Sequence, residues 1–98
     1  MTEIVVKKRI DLDFLGTEHS EDFLIFKSVP VEEYKTITKK QPDDNIQAID
    51  YIVTELKKRY ISGKFQGNDI VKDDIGKFPA EVITECYAHI TGQKIDPK

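Results

Sequence analysis

The sequence predicts an α+β domain, and three features predict it. In the first segment Ile4, Val6, Ile10 and Leu12 recur on one face with period two, interrupted by Lys8. A second short apolar run, Phe23-Leu24-Ile25-Phe26, follows a polar loop. After Pro30 the spacing of apolar residues changes to that of helices, in three segments. Ninety-eight residues leave room for one domain with one modest core, taken as 1–92, with a frayed tail at 93–98.

The first strand is expected over about 3–12. Ile4, Val6, Ile10 and Leu12 share the face to be buried, interrupted by Lys8, while Val5, Lys7, Arg9 and Asp11 share the other. The second strand is expected over about 22–28. Its run is apolar on both faces, flanked by Asp22 and Lys27. Gly16 and the polar residues after it mark the loop of a long β-hairpin.

Three helices follow. Pro30, with Glu32 and Glu33 behind it, opens the first over about 30–40, where Val31, Tyr34, Ile37 and Thr38 share an arc. Gln41-Pro42 stops it. Asp44 as N-cap, with Gln47 three residues on, opens the second over about 43–62. Ile46, Ile49, Ile52, Val53, Leu56 and Tyr60 then form a stripe about 120° wide. Glu55 and Arg59 are spaced as a weak surface pair, and Gly63 reads as the C′ stop. Lys64–Lys77 reads as a loop holding at most a short extended or 3₁₀ turn. Pro79 opens the last helix over about 79–91, with Val82, Ile83, Cys86, Tyr87 and Ile90 on its apolar face and Gly92 as its stop.

Composition narrows the function classes. Fifteen basic against eighteen acidic side chains give −3, and neither half of the chain is basic (7 against 10, then 8 against 8). That balance speaks against a nucleic-acid surface. No apolar run approaches the roughly 18 residues of a membrane span, and the N-terminal charges follow rather than precede the short apolar run, so the expectation is a soluble chain not marked for export.

The search for chemistry yields no catalytic, cofactor or metal residues. Cys86 and His89 are three apart on a helix, but a zinc site needs three or four ligands, and His19 lies in a distant loop. Cys86 sits on the core face, not in the electropositive setting of a reactive thiolate. The pairs Asp43-Asp44 and Asp73-Asp74 are explained by capping and turns. What remains is apolar surface in excess of one small core: Phe23 and Ile25 on a two-faced strand, Phe14 and Leu15 in a loop, and Tyr51 opposite the helical stripe. Together these five are expected to bind a partner protein or a second copy of the chain.

The order of segments resembles a family. Ile10-Asp11-Leu12-Asp13-Phe14-Leu15-Gly16 is followed by Phe23–Tyr34, then by Gln41-Pro42-Asp43-Asp44-Asn45 opening a helix that ends Arg59-Tyr60-Ile61-Ser62-Gly63-Lys64-Phe65. Asp74–Ile83 and a closing Ile90-Thr91-Gly92 complete it. Over nearly its whole length the chain looks like the small tail assembly chaperones of long-tailed bacteriophages infecting Gram-positive bacteria, through a pattern of segments rather than one motif. The resemblance implies a non-enzymatic protein of the infected cell's cytoplasm. Such a protein binds the tape measure protein, keeps it soluble while tail tube protein polymerises around it, and is absent from the mature virion. It implies no catalytic residues, and an end soon after Gly92 is what the short form of a frameshifted pair shows. A homo-oligomer working through the hairpin is expected to multiply weak contacts along a long client. The alternatives are a structural tail component, such as a completion or adaptor protein, and a small regulatory or nucleic-acid-binding module.

Overall fold

The computed structural model describes residues 4–92. It orders them as β1 (Lys7–Asp11), β2 (Phe23–Lys27), α1 (Val31–Lys40), α2 (Asn45–Arg59), β3 (Tyr60–Phe65), β4 (Asn68–Asp69) and α3 (Ala80–Ile90). Short 3₁₀ turns lie at Asp13–Leu15, Thr17–His19 and Lys72–Lys77. The class is α+β, as expected, but the sheet has four antiparallel strands in the order β1-β2-β3-β4 rather than a lone hairpin. The expected tail at 93–98 and the first residue of the expected strand, Glu3, lie outside the described residues.

The helices share one core with a single face of the sheet. Ile10, Leu24 and Phe26 point inward and join Ile37 of α1, Ile52 and Leu56 of α2, Ile75, and Val82, Ile83, Cys86, Tyr87 and Ile90 of α3. All five residues expected on the apolar face of α3 are buried. The expected N-cap of α2 is present: Asp44 Oδ1 accepts from the backbone N–H groups of Ile46 at 2.9 Å and Gln47 at 3.0 Å.

Other expected faces are narrower than their patterns. Ile10 and Leu12 are buried, but Ile4 is 78% exposed and Val6 51%. The reason is where the helical layer stops. Ser28 Oγ and the Val29 N–H both engage the Ile90 carbonyl at the end of α3, and Val6 lies opposite Ser28, its carbonyl accepting the Ser28 N–H. Ile4 and Val5 therefore run past the layer that would cover them. In α1 only Ile37 is buried and Tyr34 half-buried, while Val31 and Thr38 face water. In α2 the first turn projects beyond the core, so Ile46 is exposed while Ile52 and Leu56 are buried.

The largest departure follows Arg59. The expected helix to residue 62 stops three residues early, and Tyr60–Phe65 becomes a strand. Gly63 is not a helix stop but a close crossing of two strands. It pairs with Leu24, and a Cβ built on it would lie 2.6 Å from Leu24 Cδ2 and 2.7 Å from the Phe23 carbonyl oxygen. Only a residue without a side chain lets β3 approach β2 this closely. The strand closes through Gln66-Gly67, both with positive φ (51° and 81°), which is the two-residue hairpin geometry glycine favours.

Gly63→Ala is therefore expected to destabilise the fold by about 2–3 kcal/mol in urea unfolding, because the obstructing atoms include backbone that cannot rotate away. A loss below half a kcal/mol would mean that β3 does not pack there.

Candidate partner-binding surface

The face of the sheet away from the helices has no second layer among the described residues. Alternation places Lys7, Arg9 and Asp11 of β1, Phe23, Ile25 and Lys27 of β2, and Ser62 and Lys64 of β3 on it. The register sets them in rows: Lys7 opposite Lys27, then Arg9, Ile25 and Ser62, then Asp11, Phe23, Lys64 and Asp69. Phe23 and Ile25 are thus adjacent along β2, half-buried among long polar side chains. The Arg9 guanidinium lies 4.1 Å from the Phe23 ring centroid and donates from Nε to Asp11 Oδ1 at 2.9 Å. Such a cation covers part of an aromatic face without removing it from solvent.

The five expected partner-binding residues do not form one surface. Phe23 and Ile25 come together on the bare face. Phe14 is 44% exposed on the Asp13–Leu15 turn, outside that face. Leu15 and Tyr51 are half-buried and pack against the core, so neither is the projecting side chain the spacing suggested. Burial, with the Glu55 carboxylate beside it, pushes the Tyr51 phenol above its ordinary value.

The Glu55–Arg59 pair is likewise not the surface pair its spacing suggested. Glu55 is buried, and its Oε1 accepts from Arg59 Nη1 at 2.7 Å and its Oε2 from Lys58 Nζ at 3.1 Å. Arg59 Nη2 reaches across to Glu33 Oε1 at 2.7 Å, fastening α1 to α2. Burial alone pushes the Glu55 carboxyl up, but hydrogen bonds from Arg59 and Lys58 outweigh it and hold the group below the ordinary 4.5.

Asp22, which reads in sequence as a charged guard beside the strand, is 4% exposed. Its Oδ1 accepts the Gln66 N–H at 2.8 Å, and its Oδ2 lies 2.7 Å from His19 Nδ1. His19 stacks on Phe65 with ring centroids 5.0 Å apart, and Phe65 meets Phe78 edge-on. The cluster ties the β1–β2 connection to the β3–β4 turn. Its only sequence signal is a histidine three residues before an aspartate at a strand start. With Asp22 divided between two partners, the His-Asp pair orients the turn rather than a nucleophile.

The remaining candidates of the sequence are likewise placed structurally among the described residues. Cys86 is buried, and burial, with Glu85 nearby, pushes its thiol up to about 12. His89 Nε2 sits 3.3 Å from Glu85 Oε2. Among the described residues no three His, Cys, Asp or Glu side chains are grouped to hold a metal ion, and no helix is long and apolar enough to cross a membrane. One member of each acidic pair serves local structure: Asp44 caps α2, and Asp74 accepts the Val71 N–H at 3.1 Å and Lys77 Nζ at 3.0 Å.

Two further apolar places were hidden in the sequence pattern. Exposed Ile4, Val6 and Val31 border a groove of about 300 Å³ with Ser28, Val29 and Pro30. These three aliphatic residues sit at positions the periodicity assigns to buried faces. A second hollow of about 380 Å³ is floored by Phe65, Ile70, Phe78 and Pro79 and rimmed by Asp69 and Lys77. Comparison of the chain with known protein families, characterised proteins and solved structures finds no match.

Glu55→Gln is expected to cost about 1–2 kcal/mol at pH 7. Since the folded pKa lies below the unfolded one, the ionised carboxylate stabilises the fold above pH 4.5, and that stability drains as pH falls through the lowered value. Urea titrations at several pH values should show wild type and variant converging between about pH 5 and pH 3. A constant gap across that range would assign the cost to packing instead.

Proposed function

We propose that the chain is a non-enzymatic tail assembly chaperone of a long-tailed bacteriophage, acting in the cytoplasm of the infected cell. It holds the tape measure protein in solution while the tail tube forms around it. The observation that carries this reading is the bare sheet face, with Phe23 and Ile25 set among cations. A surface layer of this kind offers apolar contact to a helical client while its charged rows oppose uncontrolled aggregation. The order of segments quoted above supplies the client, and the described residues offer no competing catalytic grouping.

Working in several copies is part of the proposal, since many weak contacts along a long helix add up to firm retention. The bare face suits self-association poorly: four cations (Lys7, Arg9, Lys27, Lys64) against two acids (Asp11, Asp69) repel a second copy of themselves. The aliphatic groove at Ile4, Val6 and Val31 carries no such charge on its walls and is the surface assigned to it. Both edges of β2 are already paired, so association through that strand's edges is closed.

Co-expression with the large helical protein of the same phage tail should yield a soluble complex that co-purifies, with the small chain missing from purified particles by mass spectrometry. An insoluble partner, or the chain in the finished particle, would reject the reading. In sedimentation velocity at high micromolar concentration, wild type should run as an oligomer and Val31→Glu as a monomer. A strictly monomeric wild type would remove the multi-copy part.

A further inference from the structure

We propose that the bare sheet face is a docking surface for an acidic amphipathic helix of a partner protein. Its apolar residues lie against Phe23 and Ile25 and its carboxylates against Lys7 and Lys27. This names the chemistry of the partner and rests on the reading of that face as a partner-binding surface.

Lys7 and Lys27 stand directly opposite one another on neighbouring strands, on the same side of the sheet. Like charges at such a position destabilise a sheet, and Arg9 lies in the next row. The chain as a whole carries −3, so this end of the face reverses the sign of the molecule around it. A partner that brings carboxylates there relieves the repulsion and gains steering from it.

The spacing of the face also fits a helix. Phe23, Ile25 and Lys27 succeed one another along β2 at about 6.8 Å intervals, two residues at a time. In an α-helix, residues i, i+4 and i+8 succeed one another at about 6 Å. A helix lying along β2 with apolar residues at i and i+4 and an acidic residue at i+7 or i+8 therefore meets Phe23, Ile25 and the lysine pair in turn.

Two other occupants are disfavoured by the same geometry. Val6 accepts the Ser28 N–H and Leu12 donates to the Asp22 carbonyl, so the even-numbered residues of β1 bond to β2, and Lys7, Arg9 and Asp11 turn their backbone groups outward. That open edge carries charge at every position from Lys7 to Arg9, the usual guard against an added strand. A nucleobase stacking on Phe23 would have to displace the Arg9 guanidinium already over the ring.

The test uses fluorescence anisotropy with the whole chain and three labelled probes. One is a helical peptide of about 18 residues with Leu at i and i+4 and Glu at i+7 and i+8. The second has Lys in place of each Glu, and the third is single-stranded oligothymidine. The acidic peptide is expected to bind, with affinity that falls as salt rises. Lys27→Glu and Ile25→Ala are each expected to weaken it at least tenfold. Lys27→Glu turns a like-charged cross-strand pair into an opposite one, so its thermal melt should match or exceed wild type and a folding defect cannot mimic the loss. No binding of the acidic peptide, equal binding of the lysine peptide, tighter binding of the oligonucleotide, or unchanged affinity in Lys27→Glu would each overturn the proposal. Acidic-peptide binding without co-purification of the tape measure protein would reject the chaperone and leave the surface. Co-purification that survives both variants would do the reverse.

Discussion

Everything in this fold depends on β2 being flanked on both edges, and that depends on the absence of a side chain at Gly63. A hairpin of β1 and β2 alone would be marginal and would leave a row of unpaired backbone groups on an apolar strand. β3 supplies the missing partner, and it does so at a distance that no Cβ could tolerate. Because α2 passes into β3 at Tyr60 with no intervening loop, the same contact also fixes where α2 lies across the sheet. The position of the helical layer, the burial of Leu24 and Phe26, and the exposure of the opposite face all follow from one strand pairing.

Polar contacts then lock the margins of the two layers. Asp22 and His19 hold the ends of the two hairpins together, and Arg59 joins Glu33 of α1 to Glu55 of α2. Asp22 and Glu55 place charge in a largely dry setting, where removing one partner costs more than the intact pair contributes, whereas Glu33 stays exposed. Their value is in geometry: they fix turns and helix positions that apolar packing alone leaves free to slide.

Much of the helical part was legible in the sequence because its signals are local. The α3 face, the Asp44 cap and the three helix positions follow from spacing along the chain. β3 was not legible, because Tyr60 lies four residues after Leu56 and so continues the α2 stripe, while Gly63 suits a helix end as well as a close strand crossing. Only the pairing with Leu24, thirty-nine positions earlier (63 − 24), decides between them. Of the candidate surface, the excess of apolar character at Phe23–Phe26 could be read directly, but the side that stays bare could not. Tyr51 looked exposed because a helical wheel shows one core-facing arc, whereas Glu33 and Ile37 of α1 face Tyr51 on a second side of α2. Leu15 looked exposed because a loop position does not reveal that its short turn folds back on the core. Ile4, Val6 and Val31 looked buried because periodicity does not reveal where a covering layer ends.

Helices on one side only leave an apolar pair on the other, held among cations and bounded by a charged edge. If a helical partner lands on this face, solvent paramagnetic relaxation, measured by NMR on the chain alone and in its complex with that partner, will register it. The Phe23 ring and Ile25 methyl protons are expected to relax strongly in the isolated chain and to be shielded in the complex, while Phe14 is unchanged. Phe23 and Ile25 left equally accessible in the complex would place the partner elsewhere.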